Sequence, residues 1–166
     1  MWPFEKKKKK LGFEFKKKGD ITFELTPEEQ AEIEDSFKMF EGYYVHPDFA
    51  ENLQRGVTAR ALAGYASHQV TLSKLTSEST NREDLLDKAI SSIAKAYTFH
   101  ELPIYLYDFA CLLEMRDKMD EAKELFKKFL LAQKNYTPNN IDTICLQDQD
   151  INEAISDAID KSKRKK

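Results

Sequence analysis

Only two of the 166 residues are cysteine, Cys111 and Cys145. They are too few and too far apart for a disulfide framework or a zinc cluster, whose ligands come in close pairs, so both are read as reduced thiols in a cytoplasmic compartment. Five glycines leave little room for a phosphate-binding loop or a nucleophile elbow, and neither motif occurs. Three histidines, His46, His68 and His100, stand far apart and form no two-histidine helical metal motif. No metal site and no cofactor are therefore expected. No stretch approaches the ~20 apolar residues of a membrane span. The start, "MWPFEKKKKKLGF", has positive charge but no continuous apolar run behind it and does not read as a secretory signal.

What is present is a globular composition with a segregated charge pattern. Hydrophobic residues make up 41% of the chain, enough for a real core in one domain. The net charge of −3 conceals three zones. Residues 1–25 hold eight lysines against four acids, residues 26–160 hold thirteen basic against twenty-five acidic residues, and residues 161–166 add five basic ones. An acidic body with basic ends is poorly suited to gripping nucleic acid across its folded surface. The division expected is a basic aromatic segment (1–25), a helical domain (26–160) and a basic tail (161–166).

In the first zone, Phe13 and Phe15, then Ile21, Phe23 and Leu25, alternate with polar residues around a Lys, Gly and Asp stretch, the pattern of a small β-hairpin. Helical signals follow. Thr26, Pro27 and Glu29 spell a capping box with proline at the first helical position, ahead of the stripe Ile33, Phe37, Phe40 and Tyr44 that Gly42 should end. A second helical region runs from Pro47 to about Leu75, with a break expected near Gly56. Its small residues Ala59, Ala61, Ala63, Gly64, Ala66 and Ser67 would admit a close neighbour. After a polar loop, "TSESTN", come helices over about 82–99, 104–115 and within 116–138. An irregular piece then precedes an amphipathic helix with Ile151, Ala154, Ile155, Ala158 and Ile159 on one face, capped by Asp150 and Glu153.

The third and fifth helices share a pattern: "DKAISSIAKA" and "DEAKELFKKF" each place an acid two residues before an alanine and a large apolar residue four after it. Ala89 and Ala122 stand 33 positions apart, a period that points to paired-helix repeats. The unit from about Ile104 to Pro138 resembles the tetratricopeptide repeat. Leu106, Phe109, Ala110, Leu113, Ala122 and Phe126 fall at that family's six signature spacings. The first helix of the preceding unit is out of register, because counting back from Ala89 lands on Ser73; either the loop there is lengthened or the earlier helices are arranged differently. The resemblance implies an all-α fold of short antiparallel helical repeats with flanking helices and a C-terminal cap. In it, Ala110 and Ala122 sit at a close crossing, and Phe126 and Phe129 fill the gap to the fourth and final helices.

It also implies a noncatalytic scaffold for a protein or peptide partner, held on the inner face of the first helix of a unit. That face would carry Tyr107, Cys111 and Glu114, spaced i, i+4, i+7, with Tyr65 and His68 from the earlier helix; the plain alternative is that these are core residues. A second function class is a small enzyme with Tyr65, His68 and a carboxylate converging in a pocket. The third is a nucleic-acid-associated protein acting through its lysine tails, the least favoured partner class. In the first zone, Trp2 and Phe4 are interleaved with Lys6, Lys7, Lys8, Lys9 and Lys10 and followed by Lys16, Lys17 and Lys18. Aromatic rings and lysines in this arrangement suit peripheral attachment to an anionic membrane surface.

Overall fold

A computed structural model describes residues 24–39, 47–145 and 151–163. Among the described residues the chain is all-α, with no strand: α1 (Pro27–Lys38), α2 (Pro47–Leu75), α3 (Ser79–Phe99), α4 (Pro103–Met115), α5 (Met119–Lys134), α6 (Asn140–Cys145) and α7 (Ile151–Ser162). The expected hairpin falls almost wholly outside these residues, as do the membrane candidates Trp2, Phe4, Lys6 to Lys10 and Lys16 to Lys18.

Helix α1 begins where its capping box dictates. The Thr26 side chain accepts from the Glu29 backbone N–H at 3.1 Å, and the Glu29 carboxylate accepts from the Thr26 N–H at 2.9 Å. The helix closes at Met39, ahead of Gly42. It buries Ile33 and Phe37, each worth about 1.5 to 3 kcal/mol of removed apolar surface. Glu29 is itself only 1% exposed. Its carboxylate also accepts from Ser92 and, at 2.7 Å, from the Lys95 ammonium of α3. Burial alone would raise the Glu29 pKa, but the hydrogen bonds from Lys95, Ser92 and the Thr26 backbone outweigh it and leave the group below its ordinary 4.5. The stabilisation this supplies is present above the ordinary value and is lost as pH falls through the lowered one.

Helices α2 and α3 form the first antiparallel hairpin. The start of α2 meets the end of α3, where the Arg55 guanidinium donates to the carbonyls of Phe99 (3.1 Å) and Thr98 (3.3 Å). The break expected near Gly56 does not occur: α2 is continuous over 29 residues. Burial of Leu53, Val57 and Ala59 around Gly56 offsets the ~1 kcal/mol that a helical glycine costs. The connection to α3 is only Thr76, Ser77 and Glu78, since Ser79, Thr80 and Asn81 of the polar run already form the first turn of α3. Asn81 donates to Glu78 and Arg82 to the Ser77 carbonyl, which ties that turn down. The loop before α3 is thus not lengthened, and the two helices it joins are long, 29 and 21 residues.

Helices α4 and α5 form the second hairpin, joined by Arg116, Asp117 and Lys118. The turn is tight because Asp117 takes a left-handed conformation (φ 62°). Its N–H donates to Glu114 O at 3.0 Å, and that of Lys118 to Leu113 O at 2.9 Å, the paired bonds of a Schellman ending. Arg116 then reaches Asp87 of α3 at 2.9 Å, fastening the second hairpin to the first. Ala110 and Ala122 are both buried. Phe126 and Phe129 fill the space beyond them, with the Tyr107 ring of α4 5.8 and 5.5 Å from theirs and the Lys161 ammonium of α7 5.3 Å above the Phe126 ring. Ala154 and Ala158 of α7 are buried as well, and α7 packs on α5 as α3 packs on α4.

The piece read as irregular contains α6. A second capping box starts it, with Asn139 N–H donating to Asp142 at 3.1 Å and Asp142 N–H donating to Asn139 at 2.8 Å. Asp142 also meets His100 Nε2, at the end of α3, at 2.7 Å, and α6 packs on α2.

Two outcomes are expected. Ala122→Phe overfills the α4–α5 crossing and should cost roughly 1 to 3 kcal/mol, while Lys127→Phe, on a 52%-exposed side chain, should stay within about 0.5 kcal/mol; thermal unfolding of the two variants compares them. Glu29→Ala strands the Lys95 ammonium and should cost about 3 to 5 kcal/mol. Adding Lys95→Met should recover much of that loss, as denaturant unfolding of the single and double variants will test.

Candidate functional site

The first helices of the two hairpins, α2 and α4, do not close on each other. Between them lies a cleft of about 490 Å³. Its α2 wall is Arg60, Ala63, Gly64, Ala66, Ser67 and Val70, its α4 wall is Ile104, Tyr105, Asp108, Cys111, Leu112 and Met115, and α3 contributes Ile93. The α4 positions fall at i, i+1, i+4, i+7, i+8 and i+11, one continuous face of a helix. Ala63, Gly64, Ala66 and Ser67 on the α2 side are small, so the small-residue stripe has two uses. Ala59 and Ala61 are buried in packing, whereas Ala63, Gly64 and Ser67 leave room in the cleft. A side-chain carbon added at Gly64 would meet nothing within 4 Å.

Asp108 stands on the α4 wall among Ile104, Leu112 and Ile93. Burial pushes its pKa up to about 7, because an apolar wall disfavours the carboxylate. No hydrogen bond or ion pair from the described residues offsets that cost. Cys111, on the same wall, is pushed up to about 11, chiefly by burial, with a hydrogen bond to Tyr107 and the Lys161 charge acting in the opposite sense. At neutral pH it is a thiol, which makes it a weak nucleophile and a weak metal ligand.

The residues picked from sequence separate in three directions. Cys111 lines the cleft, but Tyr107 and Glu114 turn toward α7. Tyr107 donates to Asp157 at 2.6 Å, and burial together with this bond raises its pKa. Glu114 accepts from Lys161 at 2.8 Å, and Lys161 also meets Asp157 at 2.9 Å. The expected open strip is thus half covered by the chain's own last helix. Tyr65, half-buried, lies near Glu28, Glu29 and Glu32 of α1, and its pKa is raised first by burial and then by those acids. His68 is exposed, and neither it nor Tyr65 lines the cleft. The convergence of Tyr65, His68 and a carboxylate that the enzyme alternative requires is not found there.

Sequence reasoning missed Arg60, Tyr105, Asp108 and Met115. Asp108 had a signal: it is the one ionisable acid in the apolar run "PIYLYDFACLL", where a charge has to face something other than core. Among the described residues no group of His, Cys, Asp or Glu is placed to hold a metal ion, and no helix is long and apolar enough to cross a membrane. Comparison with family models, curated proteins and solved structures finds no match to this chain.

The raised pKa of Asp108 has a definite sign. The folded chain holds this proton more tightly than the unfolded one, so the group lowers stability progressively as pH rises from the ordinary 3.8 to about 7. Asp108→Asn should therefore unfold at nearly the wild-type temperature at pH 4 and at an increasingly higher one than wild type up to pH 8, measured by thermal denaturation across that range.

Proposed function

We propose that this chain is a noncatalytic protein-interaction scaffold of tetratricopeptide-like type, docking an extended segment of a partner between α2 and α4. The observation that carries the proposal is the cleft itself, an opening of about 490 Å³ between the first helices of successive hairpins. The arrangement also supports the repeat reading. α2 with α3 and α4 with α5 are paired units, Ala110 and Ala122 lie at their buried crossing, and α7 covers the exposed end of the last unit as a cap. The apolar lining with a few polar groups is that of a recognition site. A carboxyl in the cleft and an acidic body disfavour phosphate ligands. The basic aromatic segment before Thr26 keeps its sequence-based role in this proposal, a weak and salt-sensitive contact with an anionic membrane.

Filling the cleft tests the proposal without disturbing the core. Gly64→Phe directs a ring into open space and replaces a poor helix former, so the fold should be kept or gain a few tenths of a kcal/mol. In parallel affinity captures from source-cell lysate, proteins retained by the wild-type chain should be absent with Gly64→Phe at unchanged helical content. Identical captures from both chains would place the docking surface elsewhere.

A further inference from the structure

We propose that the cleft between α2 and α4 seats a basic side chain, lysine or arginine, of an extended partner segment, with the Asp108 carboxylate as its counter-ion. This rests on the reading of the cleft as a docking site and adds the chemistry of what it takes.

The first support is how this fold treats other buried and half-buried acids. Glu29 receives Lys95, Ser92 and the Thr26 N–H. Asp142 receives His100 and the Asn139 N–H. Asp157 receives Tyr107 and Lys161. Asp108, half-buried on the cleft wall, receives no hydrogen bond or ion pair from the described residues. A carboxyl partly desolvated on an apolar wall gains most from a cation brought to it, and the open side of this group is the cleft. Arg60 lines the opposite wall but makes no ion pair with it.

The second support is shape. Ile93, Ile104, Leu112 and Met115 form an apolar sleeve that suits the methylene stem of a lysine or arginine while its charged head meets a carboxylate. Ala63, Gly64 and Ser67 on the opposite wall let a peptide backbone approach closely. The third is complementarity at long range, since residues 26–160 hold thirteen basic against twenty-five acidic residues and so attract a basic segment.

Binding a cation requires the ionised carboxylate, so the ligand displaces a proton from Asp108 and affinity rises from pH 6 to pH 8. The other titratable or charged groups facing the cleft are Arg60 from α2, a fixed cation, and Tyr105 and Cys111 from α4. α3 contributes only Ile93. The Cys111 thiol, at about 11, stays neutral over this range.

The test selects a random peptide library displayed on phage against the full chain at pH 8, then measures the enriched peptides by fluorescence anisotropy against wild type, Gly64→Phe and Asp108→Asn. A lysine or arginine flanked by apolar residues should be enriched, and Gly64→Phe should abolish binding. Replacing the peptide's basic residue with methionine should weaken wild-type binding about tenfold or more while changing binding to Asp108→Asn little. Wild-type affinity should fall from pH 8 to pH 6, and that of Asp108→Asn should not. Peptides blocked by Gly64→Phe but indifferent to Asp108→Asn, or bearing acidic or phosphate groups suited to Arg60, would overturn the basic-residue proposal and leave the cleft as the docking site. Peptides that bind Gly64→Phe as well as wild type, or a selection that enriches none, would overturn both.

Discussion

Lys95 is a cation on the buried side of α3, and the amino-terminal half of the molecule is organised around giving it a partner. An ammonium held away from water is tolerated only beside a carboxylate whose remaining lone pairs are also satisfied. Glu29 meets that demand with a single side chain. One oxygen takes Lys95 and the Thr26 N–H, and the other takes Ser92. The same carboxylate therefore starts α1 and fixes it against α3. Because that geometry is specific, α1 can be neither rotated nor shifted along its axis without stranding a charge.

The device recurs at the other end of α3. Asp142 closes the capping box of α6 with Asn139 and then meets His100, so a short helix with little surface of its own is held by polar contacts. In both places the acid three residues after the cap has a local duty and a long-range one. α3 is the common element, pinned at Ser92 and Lys95 by α1, at Phe99 by Arg55 of α2, at His100 by α6 and at Asp87 by Arg116. With α3 fixed on so many sides, α2 and α4 are held at a separation that packing across the cleft need not set.

Helix α7 solves a different problem. The second hairpin presents Tyr107, Phe126 and Phe129 on a face that would meet water if the stack ended at α5. α7 covers it with Ala154 and Ala158 and sets Lys161 between Glu114, Asp157 and the Phe126 ring. The face of α4 that was expected to hold a ligand is in this way partly used for closure, and the cleft opens on the adjacent face.

Most helices were legible from sequence alone, for a local reason. Thr26-Pro27-x-Glu29, Pro47, Pro103 and the 3.6-residue stripes are decided by the chain within a few positions of each residue, and with them the all-α class. The start of α6 was just as local, but an Asn139-x-x-Asp142 box is a shorter-armed version of the usual signature and passed as irregular chain. Tertiary structure alone decided how far each helix is turned about its axis. Successive residues differ by about 100° around a helix, so Tyr107, Cys111 and Glu114 share an edge with Ile104, Asp108 and Met115, and periodicity cannot say which edge stays open. That choice follows from contacts far apart in sequence, Asp157 and Lys161 drawing in one edge of α4 while Ala63 and Gly64, too small to reach across, leave the other edge unfilled.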